Sequence, residues 1–140
     1  MTITQPAGII AALQQATHVT LHALASRLEH LQLTASEQNV LAALDDGQAR
    51  AVGQLAAATG TRPTTLTSVL DRLERRQLLV RALDPADRRS FLIAATAAGR
   101  TAAGEVLAAM TELEQAAAGG LTAAQLAGFR AVTRALTEVR

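Results

Sequence analysis

Short hydroxyls and arginines recur along one face of a segment that reads as a helix. They are Thr64, Thr65, Ser68, Arg72 and Arg75, with Arg62 just ahead of Pro63. Residues three, four and seven apart share a helix face, so these side chains can converge on one partner. Hydroxyls and the free amides of a helix N-terminus bind phosphates, and an arginine fork fits the O6 and N7 edge of a guanine. A second cationic pair, Arg88 and Arg89, lies in the turn-forming stretch Asp84-Pro-Ala-Asp-Arg-Arg-Ser90. Such a set suits recognition of a polyanion rather than the making of bonds.

Catalytic patterns are missing. The chain has no cysteine and no lysine, since all 13 basic residues are arginine. Disulfides, thiolate metal sites, thiol nucleophiles, Schiff bases and a phosphate-loop lysine are therefore excluded. Ser36, Ser68 and Ser90 lack a glycine-rich elbow, and no nucleophile and base stand in a recognisable motif. The three histidines, His18, His22 and His30, all fall in the first helical segment. His18 and His22 are four apart, which could serve a metal ion or a pH response. Without a cysteine or an HExxH pattern, a polar or interfacial helix face is the expectation. No enzyme, no cofactor and no metal site is expected.

The 140 residues suit one domain with a real core. Apolar residues make up 49%, but 32 of them are alanine, so bulky core residues are scarce. No apolar run approaches the roughly 20 residues of a membrane span. No basic residue precedes Arg27, so a secretory signal with a charged start is not expected either. The expectation is a cytoplasmic, alanine-rich helical protein without a membrane partner. The net charge of +1 is unevenly spread. Residues 1–49 sum to −3, residues 50–100 to +5, and residues 101–140 to −1. The middle third is a basic module, read either as a polyanion surface or as a solvated helix face.

Periodicity supplies the elements that position these residues. Residues 7–31 read as one helix through Ile10, Leu13, Leu21, Leu24, Leu28 and Leu31. Thr34-Ala-Ser-Glu37 is a capping box that opens a second helix, which stops at Asp46-Gly47. A short third helix, Gln54 to Thr59, ends at Gly60, and a fourth runs from Pro63 to about Arg76. Its buried stripe is Leu66, Val69, Leu70 and Leu73. Then the period changes, and Leu78–Leu83 and Phe91–Ala94 read as a hairpin with a projecting basic tip. Thr96 caps a fifth helix that ends at Gly119-Gly120. Thr122 and Gln125 box the start of a sixth, expected to bury Leu126, Phe129, Val132 or Thr133, Leu136 and Val139.

The third and fourth helices have the spacing of a helix-turn-helix, with Leu55 inward, Ala56 at the close crossing and Gly60 where the turn favours positive φ. Alone, this could be an ordinary helical hairpin in an alanine-rich chain. The basic hairpin that follows makes it a winged helix, with Arg88 and Arg89 able to enter a minor groove.

At this point the chain resembles the MarR (multiple antibiotic resistance regulator) family of winged-helix transcription factors. Leu33-Thr-Ala-Ser-Glu-Gln-Asn-Val-Leu41 resembles the family's second-helix opening, and Leu66-Thr-Ser-Val-Leu-Asp-Arg-Leu-Glu-Arg-Arg76 its recognition helix. Asp84-Pro-Ala-Asp-Arg-Arg89 resembles the wing signature, and Ala95-Thr-Ala-Ala-Gly99 the start of the next helix. Two residues depart from the pattern: Gln77 stands in place of a glycine and Ala95 in place of a leucine.

The resemblance implies a mainly α fold with a small β-hairpin wing (α+β), a winged helix-turn-helix flanked by long dimerisation helices. Residues 1–140 would be one domain, with 34–96 the DNA-binding lobe and 1–33 and 97–140 the helical dimerisation lobe. It implies a homodimer on a palindromic site in double-stranded DNA, and a repressor released by a small aromatic or anionic effector. The alternative on the same scaffold is a helical interaction or small-ligand-binding protein without DNA binding. The operator, the regulated genes, the direction of regulation and the effector stay open.

Overall fold

The computed structural model describes residues 4–139. Helix α1 (Ile9–Arg27) is followed by a 3-10 turn (Glu29–Leu31), α2 (Ala35–Ala43), β1 (Arg50–Ala51), α3 (Val52–Thr59) and α4 (Pro63–Arg75). Strands β2 (Leu79–Leu83) and β3 (Phe91–Ala95) form the hairpin, and α5 (Ala97–Ala118) and α6 (Ala123–Thr137) complete the chain.

The caps act as the side chains dictate. Thr34 Oγ1 accepts from the Glu37 amide at 3.2 Å, and Glu37 Oε1 accepts from the Thr34 amide at 3.4 Å. Thr122 and Gln125 make the same reciprocal pair at α6. Pro63 takes the first helical position of α4, where its missing amide removes no helix bond. Gly60 closes α3 at φ +67°, a conformation that costs a residue with a Cβ about 1–2 kcal/mol.

The first helical segment is not continuous to residue 31. α1 ends at Arg27, a 3-10 turn follows, and Gln32 caps it in the left-handed region at φ +53°. Leu28 and Leu31 are three apart, a spacing that fits a 3-10 turn as well as an α-helix, so periodicity could not mark the break. The sheet also has a third strand that the pattern did not announce. β1 pairs antiparallel with β3, Arg50 opposite Ile93 and Ala51 opposite Leu92, giving the order β1-β3-β2. Two residues are too few to show alternation.

One core joins Val40, Leu41 and Leu44 of α2 to Leu55 of α3 and to Leu66, Val69, Leu70 and Leu73 of α4. Leu79, Ile93, Ala102 and Ala103 close it from the hairpin and α5. A smaller cluster links Leu24 of α1 and nearby Leu28 to Val106 and Ala109 of α5. The expected burial of α6 does not occur within one chain. No α6 residue is buried, and Phe129 is 62% exposed. Ile9, Ile10 and Val19 of α1 are exposed in the same way. These faces are apolar and stay exposed, although Ile9 and Leu13 of α1 and Phe129 and Leu136 of α6 line one open groove.

α5 starts in close contact with the segment before the hairpin. Thr96 Oγ1 donates to the Gln77 carbonyl at 2.7 Å, and the Thr96 amide donates to the Leu78 carbonyl at 3.1 Å. Gly99 packs so tightly here that a Cβ would lie 1.8 Å from the Leu78 oxygen. Ala95, small where the family pattern has leucine, leaves its own Cβ 3.4 Å from that position. Gln77 adopts φ +60°, the left-handed geometry its place after the helix demands.

Candidate nucleic-acid interface

Four core anchors, Leu66, Val69, Leu70 and Leu73, fasten one face of α4. The opposite face is thereby turned outward. Thr64, Thr65, Ser68, Arg72 and Arg75 are all exposed on it, and Arg62 is exposed at its N-cap. The Ser68 hydroxyl rests on the Thr65 carbonyl at 2.9 Å, within its own helix, and keeps its lone pairs outward.

Arg81 joins the hairpin to α4. Its guanidinium reaches Asp71 at 2.8 Å and Glu74 at 3.3 Å, and it is only 21% exposed. Two carboxylates on one arginine fix the tilt of the wing against the helix.

The wing tip is a polar turn. Asp84 Oδ1 accepts from the Ala86 amide at 2.9 Å, and Asp87 Oδ1 from the Arg89 amide at 3.1 Å. The Ser90 hydroxyl donates to Asp87 Oδ2 at 3.3 Å. The two aspartates flanking the arginines could have held a guanidinium; instead they organise the turn's backbone. Short carboxylates bond amides two residues on more readily than they reach a long side chain. Arg88 and Arg89 are exposed, with no ion pair among the described residues.

This corrects the simple reading of the +5 module. Of its nine arginines, several serve the fold. Arg50 binds Asp46 at 2.7 Å, and this hydrogen bond holds the Asp46 carboxyl below its usual range. Arg72 touches Glu37, Arg76 bonds two carbonyls, and Arg81 is held as described. The Arg100 guanidinium lies against Gly47, where a Cβ would stand 3.3 Å from its Cζ. Arg62, Arg75, Arg88, Arg89 and Arg100 have no hydrogen-bond or ion-pair partner among the described residues. Arg100 lies on α5, and the other four lie on α4 and on the hairpin that Arg81 ties to it. Apart from Arg50, whose partner Asp46 is four residues away, the sequence could not separate held from free arginines, because the partners lie distant in the chain or across a change of element.

The other candidates go elsewhere. His30 Nε2 lies 3.3 Å from Glu105 Oε2, tying the 3-10 turn to α5, while His18 and His22 are exposed on α1. Among the described residues no cluster of His, Asp or Glu could hold a metal ion, and no helix is long and apolar enough to cross a membrane. A cavity of about 220 Å³ opens between the 3-10 turn, the end of α4 and α5, with His30, Leu33, Arg76, Leu78 and Glu105 on its walls.

Residues 31–90, from the 3-10 turn to the end of the wing loop, match the model of the MarR family. No curated protein sequence matches the chain. Solved structures resemble it over nearly their full length. BpsR of Bordetella bronchiseptica, studied for the regulation of its DNA binding by 6-hydroxynicotinic acid, is 26% identical with a TM-score of 0.81, covering 100% of both chains. CouR of Rhodococcus jostii RHA1, bound to p-coumaroyl-CoA, is 26% identical with a TM-score of 0.84, covering 98% of each. MepR of S. aureus in complex with DNA is 21% identical and shares the fold at a TM-score of 0.83, over 96% of this chain and 100% of that one.

Proposed function

We propose that the chain is a winged helix-turn-helix regulator of the MarR type, a sequence-specific, double-stranded DNA-binding transcriptional regulator acting as a homodimer, a reading supported by the match of residues 31–90 to that family's model. The observation that carries this is the placement of Arg62, Arg75, Arg88 and Arg89. The fold engages Arg50, Arg76 and Arg81 and leaves these four outward on α4 and the attached wing, beside Arg72, which touches Glu37 but is 44% exposed on the same face. The face of α4 then reads bases in a major groove with Thr64, Thr65, Ser68 and Arg72. Arg62 and Arg75 take phosphates at its two ends, and Arg88 and Arg89 take phosphates or the adjacent minor groove.

In this reading residues 34–96 form the DNA-binding lobe, and residues 1–33 and 97–140 the dimerisation lobe. The bare apolar faces of α1 and α6 meet the same faces of a second copy, which sets two α4 helices against the half-sites of a palindrome. The protein acts in the cytoplasm and catalyses no reaction.

The expected mode is repression relieved by a small aromatic or anionic effector. The 220 Å³ cavity lies where such a ligand would act, and Arg76 on its wall is the group an acid would seek. That guanidinium is already bonded to the Leu31 and Gln32 carbonyls. A ligand that took it away would favour another setting of α4, and DNA affinity would change by the ligand's differential affinity for the two settings.

Selection of bound sites from random duplex DNA, followed by titration of the selected site at several salt concentrations, tests the proposal. Enrichment of a palindrome with steeply salt-dependent binding supports it. No enrichment and no salt-dependent binding would leave the scaffold as a helical interaction or ligand-binding protein.

A further inference from the structure

Glu37 is one of two buried polar residues among the described residues, with its side chain 5% exposed. Its backbone role is complete without a charge. In the capping box it accepts from the Thr34 amide, and a neutral glutamine serves equally at that position. Yet Glu37 Oε1 also lies 3.5 Å from Nε of Arg72, on the exposed face of α4. This contact joins the N-terminus of α2 to the middle of the helix that the proposed function sends into the groove.

The geometry points to Glu37 as a positioning residue for Arg72, and thereby as a determinant of sequence discrimination. The inference rests on the DNA-binding reading. A guanidinium carries one donor on Nε and four on its two terminal nitrogens, in a rigid plane. Glu37 meets the Nε side. The side chain is 44% exposed, and its terminal nitrogens have no hydrogen-bond partner among the described residues. Two coplanar donors presented end-on match the O6 and N7 acceptors of guanine. A free arginine on the same face would swing between base edges and the nearer phosphates. A held one presents its fork to the bases with less conformational freedom left to lose.

The carboxylate also acts against the wrong partner. A negative charge next to Arg72 lowers its attraction for phosphate, the sequence-independent part of binding. Glu37 is well placed for this. It sits in the first turn of α2, where the helix N-terminus stabilises a carboxylate that burial would otherwise penalise. Glu37 therefore weakens binding to random DNA and sharpens binding to the chosen base, two effects that a merely structural acid would not produce together.

The variant Glu37→Gln separates these roles. It keeps the oxygen that meets both the Thr34 amide and Arg72 Nε, and hence the capping box, but removes the charge that holds the guanidinium. The probes are the palindrome selected by the native protein and a scrambled duplex, titrated from low to moderate salt. The expected result is tighter binding of the scrambled duplex and a steeper salt slope. The preference for the selected site should fall about five-fold or more, the lower end of what one bidentate base contact discriminates. In an Arg72→Ala background the same change should have no further effect on preference or slope. Unchanged preference and slope in Glu37→Gln overturn the inference while leaving DNA binding intact. If the native protein selects no site, the functional reading itself fails. Should Glu37→Gln not fold, Arg72→Lys tests the same contact from the other side. A single ammonium cannot meet Glu37 and offer two coplanar donors, so the preference must fall with little loss of scrambled-duplex affinity. Retained preference in Arg72→Lys overturns the inference.

Discussion

Arg76 Nη1 donates to the Gln32 carbonyl at 2.7 Å, so the C-cap of α4 is bonded directly to the turn that ends the first helical segment. Nη2 of the same side chain donates to the Leu31 carbonyl at 2.8 Å. Both ends of this strap lie at left-handed backbone: Gln32 has φ +53°, and Gln77, next to Arg76, has φ +60°. The guanidinium thus spans two bends that would otherwise let α4 move relative to α1.

Replacing Arg76 by alanine should lower stability by about 1–2 kcal/mol, through removal of two charge-assisted bonds on an exposed side chain. It should also widen the range of half-site spacings the dimer accepts, because recognition helices must stand about 34 Å apart for sites one turn apart. Binding to palindromes lengthened or shortened by one base pair measures this. A spacing preference as sharp as that of the native protein would show that Arg76 does not set the geometry.

Arg88 and Arg89 should contribute affinity without much specificity. Alanine at either position should weaken binding to selected and scrambled duplexes alike. The log–log salt slope should fall by about 0.9 for each phosphate that is no longer neutralised. An unchanged slope in the double variant would mean that the wing stands clear of DNA.

Phe129 is 62% exposed on a helix with no buried residue, and Leu136 of the same helix lines a groove against α1 with it. Phe129→Asp should turn a dimer into a monomer in sedimentation velocity with helix content retained, since the side chain stays 62% exposed and lines only an open groove within its own chain. A native protein that sediments as a uniform monomer would falsify the dimer.

Gly99 and Gly104 lie on the same helix and should respond oppositely to alanine. At Gly99 the new Cβ would meet the Leu78 carbonyl, so α5 must shift, at a cost of about 1–3 kcal/mol. At Gly104 nothing lies within 4 Å, and alanine should stabilise by about 0.5–1 kcal/mol. Thermal melts of the two variants at equal protein concentration measure the contrast.

Gln77→Gly should raise stability by about 1 kcal/mol, because the residue holds φ +60° with a Cβ. Chemical denaturation reads the gain directly. A decrease instead would mean that the Gln77 side chain supports the turn more than its backbone strains it.

By itself the sequence determined most elements and the identity of the outward face. Capping boxes at Thr34 and Thr122, Pro63 at a first helical position and Gly60 at a left-handed turn are local signals, satisfied within four residues of chain. The stripe of Leu66, Val69, Leu70 and Leu73 fixed which side of α4 is buried, and so which hydroxyls and arginines are not. The break at Gln32 and the strand Arg50–Ala51 left no periodic trace, because a 3-10 turn mimics helical spacing and two residues show no alternation. Only the tertiary structure decided which arginines are held and by which partners. Glu37 meets Arg72 from another helix, Gln32 meets Arg76 from another turn, and Asp71 and Glu74 meet Arg81 across a change from helix to strand. Charge summed along a chain counts every arginine alike; an ion pair depends on distance in space, which folding alone creates.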